Sequence, residues 1–320
     1  MFKLDKITKI YRVGTFGGKE LRAVDDVSFE VKDGEVIALI GESGSGKSTI
    51  GKMILRLIAT TYGTISLDGL DISTLKGNAL KEYYRKVQGV FQDPFSSYNP
   101  IFKADRLFKI IHDEFYPETA AREWHVKVEN SLKAVGLNPE QVLNKFPHQL
   151  SGGQLQRFLI ARALLLDIRF LVADEIISML DASTRIDVLN LLADLKSRGL
   201  SILFITHDLS LANYISERAV ILYRGCIVEM GATEKIFKNS QHPYTKMLMI
   251  SVPRLDQKWQ EKGSSLERTA RQFALLKGCP YYERCPNAVE TCSRERPKLR
   301  EVEPDHLVAC SQAEIPENSV

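Results

Sequence analysis

The sequence predicts an α/β fold built on a largely parallel sheet, and three apolar runs indicate it. Residues 36–40 form a continuous apolar run bounded by Gly34 and Gly41, which is typical of a strand buried on both faces. Residues 170–173 and 202–206 have the same character. The first run is followed by apolar residues at helical spacing, which predicts a strand, a loop and a helix in succession: Ile50, Met53, Ile54, Leu57 and Ile58.

The other elements follow from local patterns along the chain. Residues 1–36 alternate apolar and polar positions around Gly-rich breaks, which predicts short antiparallel strands. Residues 93–150 contain early prolines and a helical stretch at 124–135 but no convincing strand, which predicts a helical insertion. Two further helices are predicted at 158–166 and 186–195.

Length and charge exclude several classes of protein. The chain is long enough for about two domains, and 44% apolar with 26% charged residues is ordinary for a soluble globular protein. The 43 basic and 40 acidic residues leave a net charge of +3, which is too small to indicate a nucleic-acid partner. No apolar run approaches the roughly 20 residues that span a bilayer. Because the N-terminus lacks a signal-peptide core, we expect a cytoplasmic chain with reduced cysteines.

A glycine-rich loop lies between the first buried strand and its helix. Residues 41–48 satisfy the pattern G-x-x-x-x-G-K-[ST]. Glycines let successive N–H groups face inward as an anion nest, and the helix adds the positive end of its dipole. Lys47 would lie on the β- and γ-phosphates of a nucleotide, and Ser48 would offer its hydroxyl to Mg²⁺. The alternative is a plain Gly/Ser turn before a lysine, which the strand and helix on either side disfavour.

Two carboxylates, Asp174 and Glu175, end the buried strand at 170–173. In a parallel α/β sheet the ligand crevice lies at this end of the strands. Asp174 is suited to hold Mg²⁺ through a water, and Glu175 to orient or deprotonate an attacking water. An Asp-Glu pair taken alone is often only a solvated turn.

Three further motifs accompany these residues in a fixed order. Residues 150–154 are Leu-Ser-Gly-Gly-Gln, Gln92 closes a Gly-Val-Phe-Gln stretch, and His207 follows the strand at 202–206. Each is more often structural when it occurs alone. In this order they resemble the nucleotide-binding subunit of ATP-binding-cassette (ABC) transporters, over about residues 1–250.

The resemblance implies a fold and a domain organisation. The fold would be a P-loop NTPase (RecA-like) core with an antiparallel β subdomain, a helical ABC insertion and a small Cys-bearing C-terminal region. Residues 1–92 and 151–250 would form the ATPase core, and residues 93–150 the helical signature subdomain. Residues 251–320 would form the C-terminal region.

The resemblance also implies roles for the motif residues, with ATP and Mg²⁺ as cofactors. The catalytic residues would be Lys47, Gln92, Glu175 and His207. Mg²⁺ would be held by Ser48, Gln92 and Asp174. Contacts to ATP would come from the Walker A loop, the Q-loop, the signature, Walker B and the D-loop: Gly41, Ser43, Gly44, Ser45, Gly46, Lys47, Ser48, Thr49, Gln92, Ser151, Gly152, Gly153, Gln154, Asp174 and Asp181.

The resemblance implies an aromatic ring near the first strand that lies against adenine, with a purely structural aromatic at the strand end as the alternative. Tyr11 is the first candidate, since a flat π-face gives base affinity with little discrimination among purines. Phe16 competes with it, because the loop at 14–18 leaves the alignment open. The chain departs from the family at Ile176, where a proline usually follows the catalytic glutamate. We expect a small adjustment of that turn without loss of activity.

The resemblance implies partners as well. Two such subunits pair head to tail, so ATP on one Walker A loop is completed by the signature of the second ABC ATPase subunit, a paralogue or an identical chain. Two transmembrane permease subunits would dock on the helical subdomain at the cytoplasmic face of the membrane. An extracytoplasmic solute-binding protein would deliver the solute, and no nucleic acid is expected.

Four cysteines crowd the last fifth of the chain with the spacing C-x5-C-x6-C-x17-C: Cys279, Cys285, Cys292 and Cys310. Thiolates suit iron–sulfur clusters or zinc, and a short tail gains stability from a metal. The spacing lacks the C-x2-C pairs common in zinc sites. Three alternatives therefore stay open: a cluster, Zn²⁺ and free thiols. Cys226, in an expected hairpin, is predicted to be a packed or semi-exposed thiol and not a ligand.

The tail resembles the C-terminal region of oligopeptide/dipeptide-type ABC importer ATPases, in which such cysteines can hold a [4Fe-4S] cluster. Residues 242–246, His-Pro-Tyr-Thr-Lys, match the same subclass. The usual Pro-rich stretch is replaced by residues 263–268, which puts the path of 255–277 in doubt. The implied function is the ATPase of a peptide importer. The alternatives are oligosaccharide import, a soluble ABC ATPase of DNA repair or translation, and a non-hydrolysing cassette.

Overall fold

The computed structural model describes residues 1–13, 19–250 and 277–313. Its strands are β1 (Phe2–Val13), β2 (Lys19–Val31), β3 (Val36–Ile40), β4 (Tyr62–Leu67), β5 (Leu70–Asp71), β6 (Val87–Val90), β7 (Phe170–Asp174), β8 (Ser201–Thr206), β9 (Arg218–Tyr223), β10 (Cys226–Ala232), β11 (Arg300–Glu303) and β12 (His306–Val308). Its helices are α1 (Lys47–Ile54), α2 (Gly77–Lys86), α3 (Arg106–Phe115), α4 (Ala121–Ala134), α5 (Pro139–Val142), α6 (Gly152–Leu164), α7 (Ala182–Ser197), α8 (Leu209–Ile215), α9 (Thr233–Lys238), α10 (Pro243–Ile250) and α11 (Glu290–Arg294).

The described chain divides into two compact units. The first comprises residues 1–31 and 36–73 with the described residues from 205 onward. The second comprises residues 32–35 and 74–204. One boundary between the units falls within β8. Each unit contains segments that are far apart in the sequence.

The first unit contains an antiparallel sheet and a row of five further strands. The antiparallel sheet has the order β2-β1-β4-β5, with Tyr11 of β1 opposite Leu21 of β2. The other strands follow the order β11-β12-β10-β9-β3. β3 and β9 are parallel, with Ala38 opposite Ala219, and β9 and β10 form a hairpin through Arg224 and Gly225, both of positive φ. The antiparallel strands predicted near the N-terminus and the hairpin at Cys226 are confirmed.

The C-terminal region extends this row of strands. β11 and β12 form a hairpin, and β12 pairs antiparallel with β10. The tail also buries Cys279, Tyr281 and Cys292 in a cluster with Ala38 and Tyr244. The region is therefore packed on the core of the first unit and is not a separate appendage. The doubtful path at 255–277 lies almost wholly outside the described residues.

In the second unit β6 and β7 are parallel, with Val87 opposite Phe170, and the strand order is β8-β7-β6. Residues 93–150, all described, contain helices and no strand, as the sequence predicts. Phe158 of α6 stacks on Phe108 of α3 at 4.6 Å between ring centroids. Because all five residues of β7 are buried, this unit has the doubly covered strand that a continuous apolar run predicts.

Two helix boundaries differ from those that periodicity predicts. α1 ends at Ile54, although the apolar spacing continues to Ile58, because Arg56 adopts a positive φ and Leu57 is exposed. α6 begins six residues before the predicted start at 158, because Ser151 caps it.

Candidate active site

The glycine-rich loop after β3 lies in the first unit and folds around Lys47. The Lys47 side chain is only 4% exposed, and its Nζ donates hydrogen bonds to the carbonyl oxygens of Gly41 at 2.7 Å and Glu42 at 3.0 Å. Gly46 precedes α1 with φ 104°, a left-handed conformation that favours glycine. A Cβ on Gly46 would lie 2.3 Å from the carbonyl oxygen of Ala23. The loop therefore requires glycine here for both conformation and space.

The hydroxyl of Ser45 supports an anion as the ligand of this loop. Ser45 Oγ is buried and has no hydrogen-bond partner among the described residues. A Cβ on Gly41 would lie 2.7 Å from that oxygen, so the close approach of the two residues encloses it. Buried polar atoms are nearly always paired, and a phosphate oxygen would accept from this hydroxyl. The residues present thus fit a bound phosphate group.

The two carboxylates at the end of β7 lie in the second unit. Asp174 is buried, and Glu175 is half-buried with φ 51°. Positive φ is uncommon outside glycine and is found at turns under constraint. The turn is closed by Ser178, whose N–H and hydroxyl both donate to the Glu175 carbonyl oxygen, at 3.1 and 2.8 Å. Ile176, where the family has proline, is buried at 1% exposure, so this turn is fixed by apolar packing and hydrogen bonds.

The Leu-Ser-Gly-Gly-Gln motif begins α6 in the second unit. Ser151 Oγ accepts a hydrogen bond from the Gln154 N–H at 3.1 Å, and Gln154 Oε1 accepts from the Ser151 N–H at 2.8 Å. This reciprocal capping box satisfies two of the free donors at the helix start. Ser151 is exposed, and a Cβ on Gly152 would meet no atom of the described residues within 4 Å. The motif thus presents a capped helix N-terminus to solvent.

Gln92 follows β6 in the second unit and is exposed. Two side chains of α6, one buried and one half-buried, hold the segment before it. Gln156 Nε2 donates to the Phe91 carbonyl oxygen at 3.2 Å. Arg162 donates to Gln88 Oε1 at 3.2 Å and to the Gly89 carbonyl oxygen at 2.9 Å. The signature helix therefore positions the Gln92 segment, which the sequence analysis did not predict.

Asp181 in the second unit caps α7. Its carboxylate accepts from the Ser183 hydroxyl at 2.6 Å, the Thr184 N–H at 3.0 Å and the Thr184 hydroxyl at 2.8 Å. Hydrogen bonds from Ser183 and Thr184 hold the pKa of Asp181 well below its usual range. The methyl group of Thr184 also fills the space beside Gly153, where a Cβ would lie 2.6 Å away. The cap therefore fixes α7 against the signature.

His207 and Tyr11 belong to the first unit. His207 directly follows β8 and is exposed. Asp208 caps α8 by accepting from the Ser210 N–H at 2.8 Å, which fixes the backbone beside the histidine. The ammonium of Lys9 lies 5.2 Å from the centroid of the Tyr11 ring. The competing candidate, Phe16, lies outside the described residues.

Curated relatives match this chain over almost its whole length. It is 41% identical over 312 residues to the oligopeptide transport ATP-binding protein AppF of Bacillus subtilis, covering 93% of this chain and 92% of the relative. It is 37% identical over 317 residues to a probable peptide ABC transporter ATP-binding protein of Sinorhizobium fredii, covering 97% of this chain and 89% of the relative. The family model described as ABC transporter matches residues 24–178. The chain belongs to the ABC transporter ATP-binding family.

The ABC fold is confirmed by solved structures. A dimeric ATP-binding cassette in a post-hydrolysis state, bound to ADP and Pi, has a TM-score of 0.66 and 30% sequence identity. That match covers 73% of this chain and 99% of the other. A dimeric bacterial ABC transporter cassette gives a TM-score of 0.65, with 30% identity and the same coverage. The chain is therefore an ATPase of the ABC family.

The tail of this ABC ATPase matches a second family model, described as oligopeptide/dipeptide transporter, C-terminal region, over residues 228–292. The subclass expected from the cysteines and from residues 242–246 is thereby confirmed. His242 is buried, and its Nδ1 accepts from the Tyr244 N–H at 3.1 Å. Burial lowers the pKa of His242 to about 4. No helix in the described ranges of this ABC ATPase is long and apolar enough to span a bilayer.

The four tail cysteines of this ABC ATPase line one small cavity: Cys279, Cys285, Cys292 and Cys310. Within the described residues, however, no three His, Cys, Asp or Glu side chains are grouped as a metal site. Burial raises the pKa of Cys279 to about 11, which favours a protonated thiol in this arrangement. The sulfurs as placed do not fit a metal or cluster, and the iron–sulfur prediction is not supported. Cys226 is buried and free, as predicted.

Proposed function

We propose that this chain is the ATP-hydrolysing subunit of an importer for peptides, peripheral to the cytoplasmic face of the membrane. The observation that carries the proposal is the phosphate loop, with an enclosed Lys47 and a buried Ser45 hydroxyl that has no partner among the described residues. The relatives named for peptide or oligopeptide transport support the solute class. The balanced charge and single cassette argue against a nucleic-acid enzyme.

The proposed chemistry is attack of water on the γ-phosphorus of ATP, with ADP as the leaving group. Glu175 would orient the water and accept its proton. Lys47 and His207 would stabilise charge on the phosphoryl oxygens, and we keep Gln92 as a catalytic residue. Mg²⁺, for which we propose Ser48, Gln92 and Asp174 as ligands, supplies further charge neutralisation when bound.

We further propose that the signature acts on a nucleotide held by a second ABC ATPase subunit. Ser151 and Gly153 offer a hydroxyl and a backbone N–H at a capped, exposed helix start, which is suited to an incoming phosphate. Gly152, Gln154 and Asp181 complete the proposed contacts. Because one loop then requires another chain's signature, γ-phosphate would stabilise the dimer and hydrolysis would release it.

An open groove in the helical part of the second unit is the proposed docking site for a permease helix. Its volume is about 840 Å³, and its lining includes Ile101, Phe102, Phe108 and Trp124. Ile101 is 76% exposed, so apolar surface is present without a covering element in the described chain. We keep residues 93–150 as the proposed signature subdomain.

Reconstitution with the co-purified membrane subunits tests the function. The chain should co-purify with two permease proteins identified by mass spectrometry, and ATP hydrolysis in proteoliposomes should rise with the binding protein and peptides. An oligosaccharide that stimulates hydrolysis, with peptides inert, would refute the solute class. A purified complex that lacks any membrane protein would refute the importer.

A [4Fe-4S] cluster remains a proposal for the tail, supported by four thiols around one cavity. Binding would require the sulfurs to form a group that could hold a metal, which they do not form within the described residues. Anaerobically purified protein should then be brown and contain about four irons per chain. Colourless protein with one Zn²⁺, or with the four tail thiols titratable and no metal, would contradict the cluster.

A further inference from the structure

The phosphate loop carries an acidic residue that no catalytic role uses. Glu42 directly follows Gly41, and its backbone carbonyl accepts a hydrogen bond from Lys47 Nζ at 3.0 Å. A carboxylate beside a site for a polyanion raises the electrostatic cost of binding, because like charges repel over several ångströms. Something must offset this charge if the loop is to bind ATP.

An arginine from the C-terminal region meets that carboxylate. The two terminal nitrogens of Arg284 donate to the two oxygens of Glu42, at 2.8 and 3.0 Å. This is the bidentate geometry in which guanidinium and carboxylate pair most strongly. Arg284 is therefore the counter-charge of an acidic residue 242 positions earlier in the chain.

Arg284 is held in place by tyrosines of the first unit. Its guanidinium lies 5.8 Å from the ring centroid of Tyr223 and 5.7 Å from that of Tyr281. It also donates to the Tyr223 hydroxyl at 3.4 Å. The Tyr244 hydroxyl accepts from the Glu42 N–H at 2.9 Å, so the backbone of Glu42 is fixed as well. The guanidinium is thus oriented before any nucleotide binds.

We propose that Arg284 is a positioning residue of the ATP site, which neutralises Glu42 and so allows the phosphate loop to accept a polyanion. The C-terminal cysteine-bearing segment, in which Arg284 precedes Cys285, would thereby contribute to nucleotide affinity. The inference rests on the proposed ATPase function of the loop. It assigns to this region a role that needs neither a metal nor a cluster.

The test is calorimetric titration of the intact chain with MgATP. Arg284→Ala should weaken affinity about tenfold, because Glu42 is left without its counter-charge. The double variant with Glu42→Gln should recover most of that loss, because the repulsive charge is then absent. Arg294→Ala is the control, since Arg294 is an exposed arginine of the same segment that pairs with Glu290, four residues earlier.

Two further measurements, Tm and the salt dependence of binding, distinguish neutralisation of Glu42 by Arg284 from a purely structural role of Arg284. The pair is partly exposed, with side chains 27% and 39% accessible, so its contribution to stability is small and Tm should change little. The defect of Arg284→Ala should shrink at about 1 M salt, where charges are screened beyond roughly 3 Å. If Arg284→Ala does not fold, Arg284→Gln, which keeps a polar side chain against the tyrosines, takes its place.

Three results would overturn the inference. They are an affinity of the Arg284 variant within twofold of the parent, no recovery on adding Glu42→Gln, and a defect independent of salt. Failure of the parental chain to bind MgATP would refute the proposed function itself, and the inference with it. Normal parental binding with an unaffected Arg284 variant would refute the inference alone.

Discussion

The phosphate loop and the signature are both helix N-termini, but their local structures differ. At the phosphate loop, Lys47 is enclosed, and Ser45 has a buried hydroxyl without a partner in the described chain. At the signature, Ser151 is exposed and its capping box satisfies the helix start within the chain. The first site has a buried donor that an anion would pair, whereas at the second site the capping box already pairs two of the donors at the helix start.

This difference suggests a division of roles: the phosphate loop would bind the chain's own nucleotide, and the signature would act on the nucleotide held by a second chain. A site with enclosed charge and unmet donors has affinity of its own, because the donors are oriented before the ligand arrives. An exposed, self-capped helix start provides a dipole and N–H groups with little enclosure, so it contributes mainly after another surface has delivered the phosphate. The comparison therefore predicts different consequences for variants at the two sites.

The largest expected effect is on the phosphate loop. Lys47→Ala should weaken MgATP binding about a hundredfold or more, because it removes the buried charge that we propose pairs with the phosphates. Calorimetric titration of the purified chain measures the loss. Lys52→Ala, an exposed lysine of the same helix α1, is the matched control and should bind like the parent. If Lys47→Ala bound MgATP with parental affinity, the phosphate loop would not differ from the signature in the way described above.

The next effect concerns hydrolysis without loss of binding. Glu175→Gln should slow ATP hydrolysis about a hundredfold or more, since the carboxylate that we propose orients the water is lost. Binding should persist, and a closed dimer with its partner should accumulate, which size-exclusion chromatography with ATP detects. Glu118→Gln, at an exposed glutamate of the second unit, should leave both unchanged. Hydrolysis by Glu175→Gln at the parental rate would show that another group orients the water.

Ser151→Asp tests whether the signature acts on the partner's nucleotide and not on the chain's own. Aspartate is also a good N-cap, so α6 should keep its stability. The added carboxylate would repel the partner's phosphate, and hydrolysis by the assembled complex should fall about tenfold. MgATP titration and thermal unfolding of the isolated chain should match the parent. Weakened binding by the isolated variant would mean that the signature contributes to the chain's own nucleotide site.

The smallest effect is expected at the link between the signature helix and Gln92. Gln156→Leu removes the hydrogen bond to the Phe91 carbonyl oxygen, so the Gln92 segment should be less well held. Unfolding free energy should change by about 1 kcal/mol, and steady-state hydrolysis by the complex should fall several-fold. Gln141→Leu, at an exposed residue of α5, is the control. Unaltered hydrolysis by the Gln156→Leu complex would show that the hydrogen bond from Gln156 to Phe91 is not needed for ATPase activity.

Much of the fold could be predicted because the buried strands are continuous apolar runs. β3, β7 and β8 lie where those runs do, and the motifs fall at their ends. The hairpin of β11 and β12 could not be predicted, because its short strands are stabilised by pairing with β10, distant in sequence. Helix ends were missed where a cap such as Ser151 outweighs apolar spacing.

The motif residues of the site could be predicted, but the side chains that hold them could not. Arg284 and Glu42 are 242 residues apart, and neither belongs to a local pattern that joins them. Gln156 and Arg162 did carry a signal, since each is a polar residue among the apolar residues of α6, where Gln156 is buried and Arg162 half-buried. A buried polar side chain in an apolar helix indicates a partner elsewhere.

The decisive test is whether the phosphate loop binds ATP without a partner chain. Equilibrium binding of MgATP to the parental chain should be measured at a concentration where ultracentrifugation shows a monomer. We predict one ATP bound per chain without any partner, because the enclosed loop is sufficient. The absence of binding by a folded monomer, or binding that appears only as the chain dimerises, would contradict it.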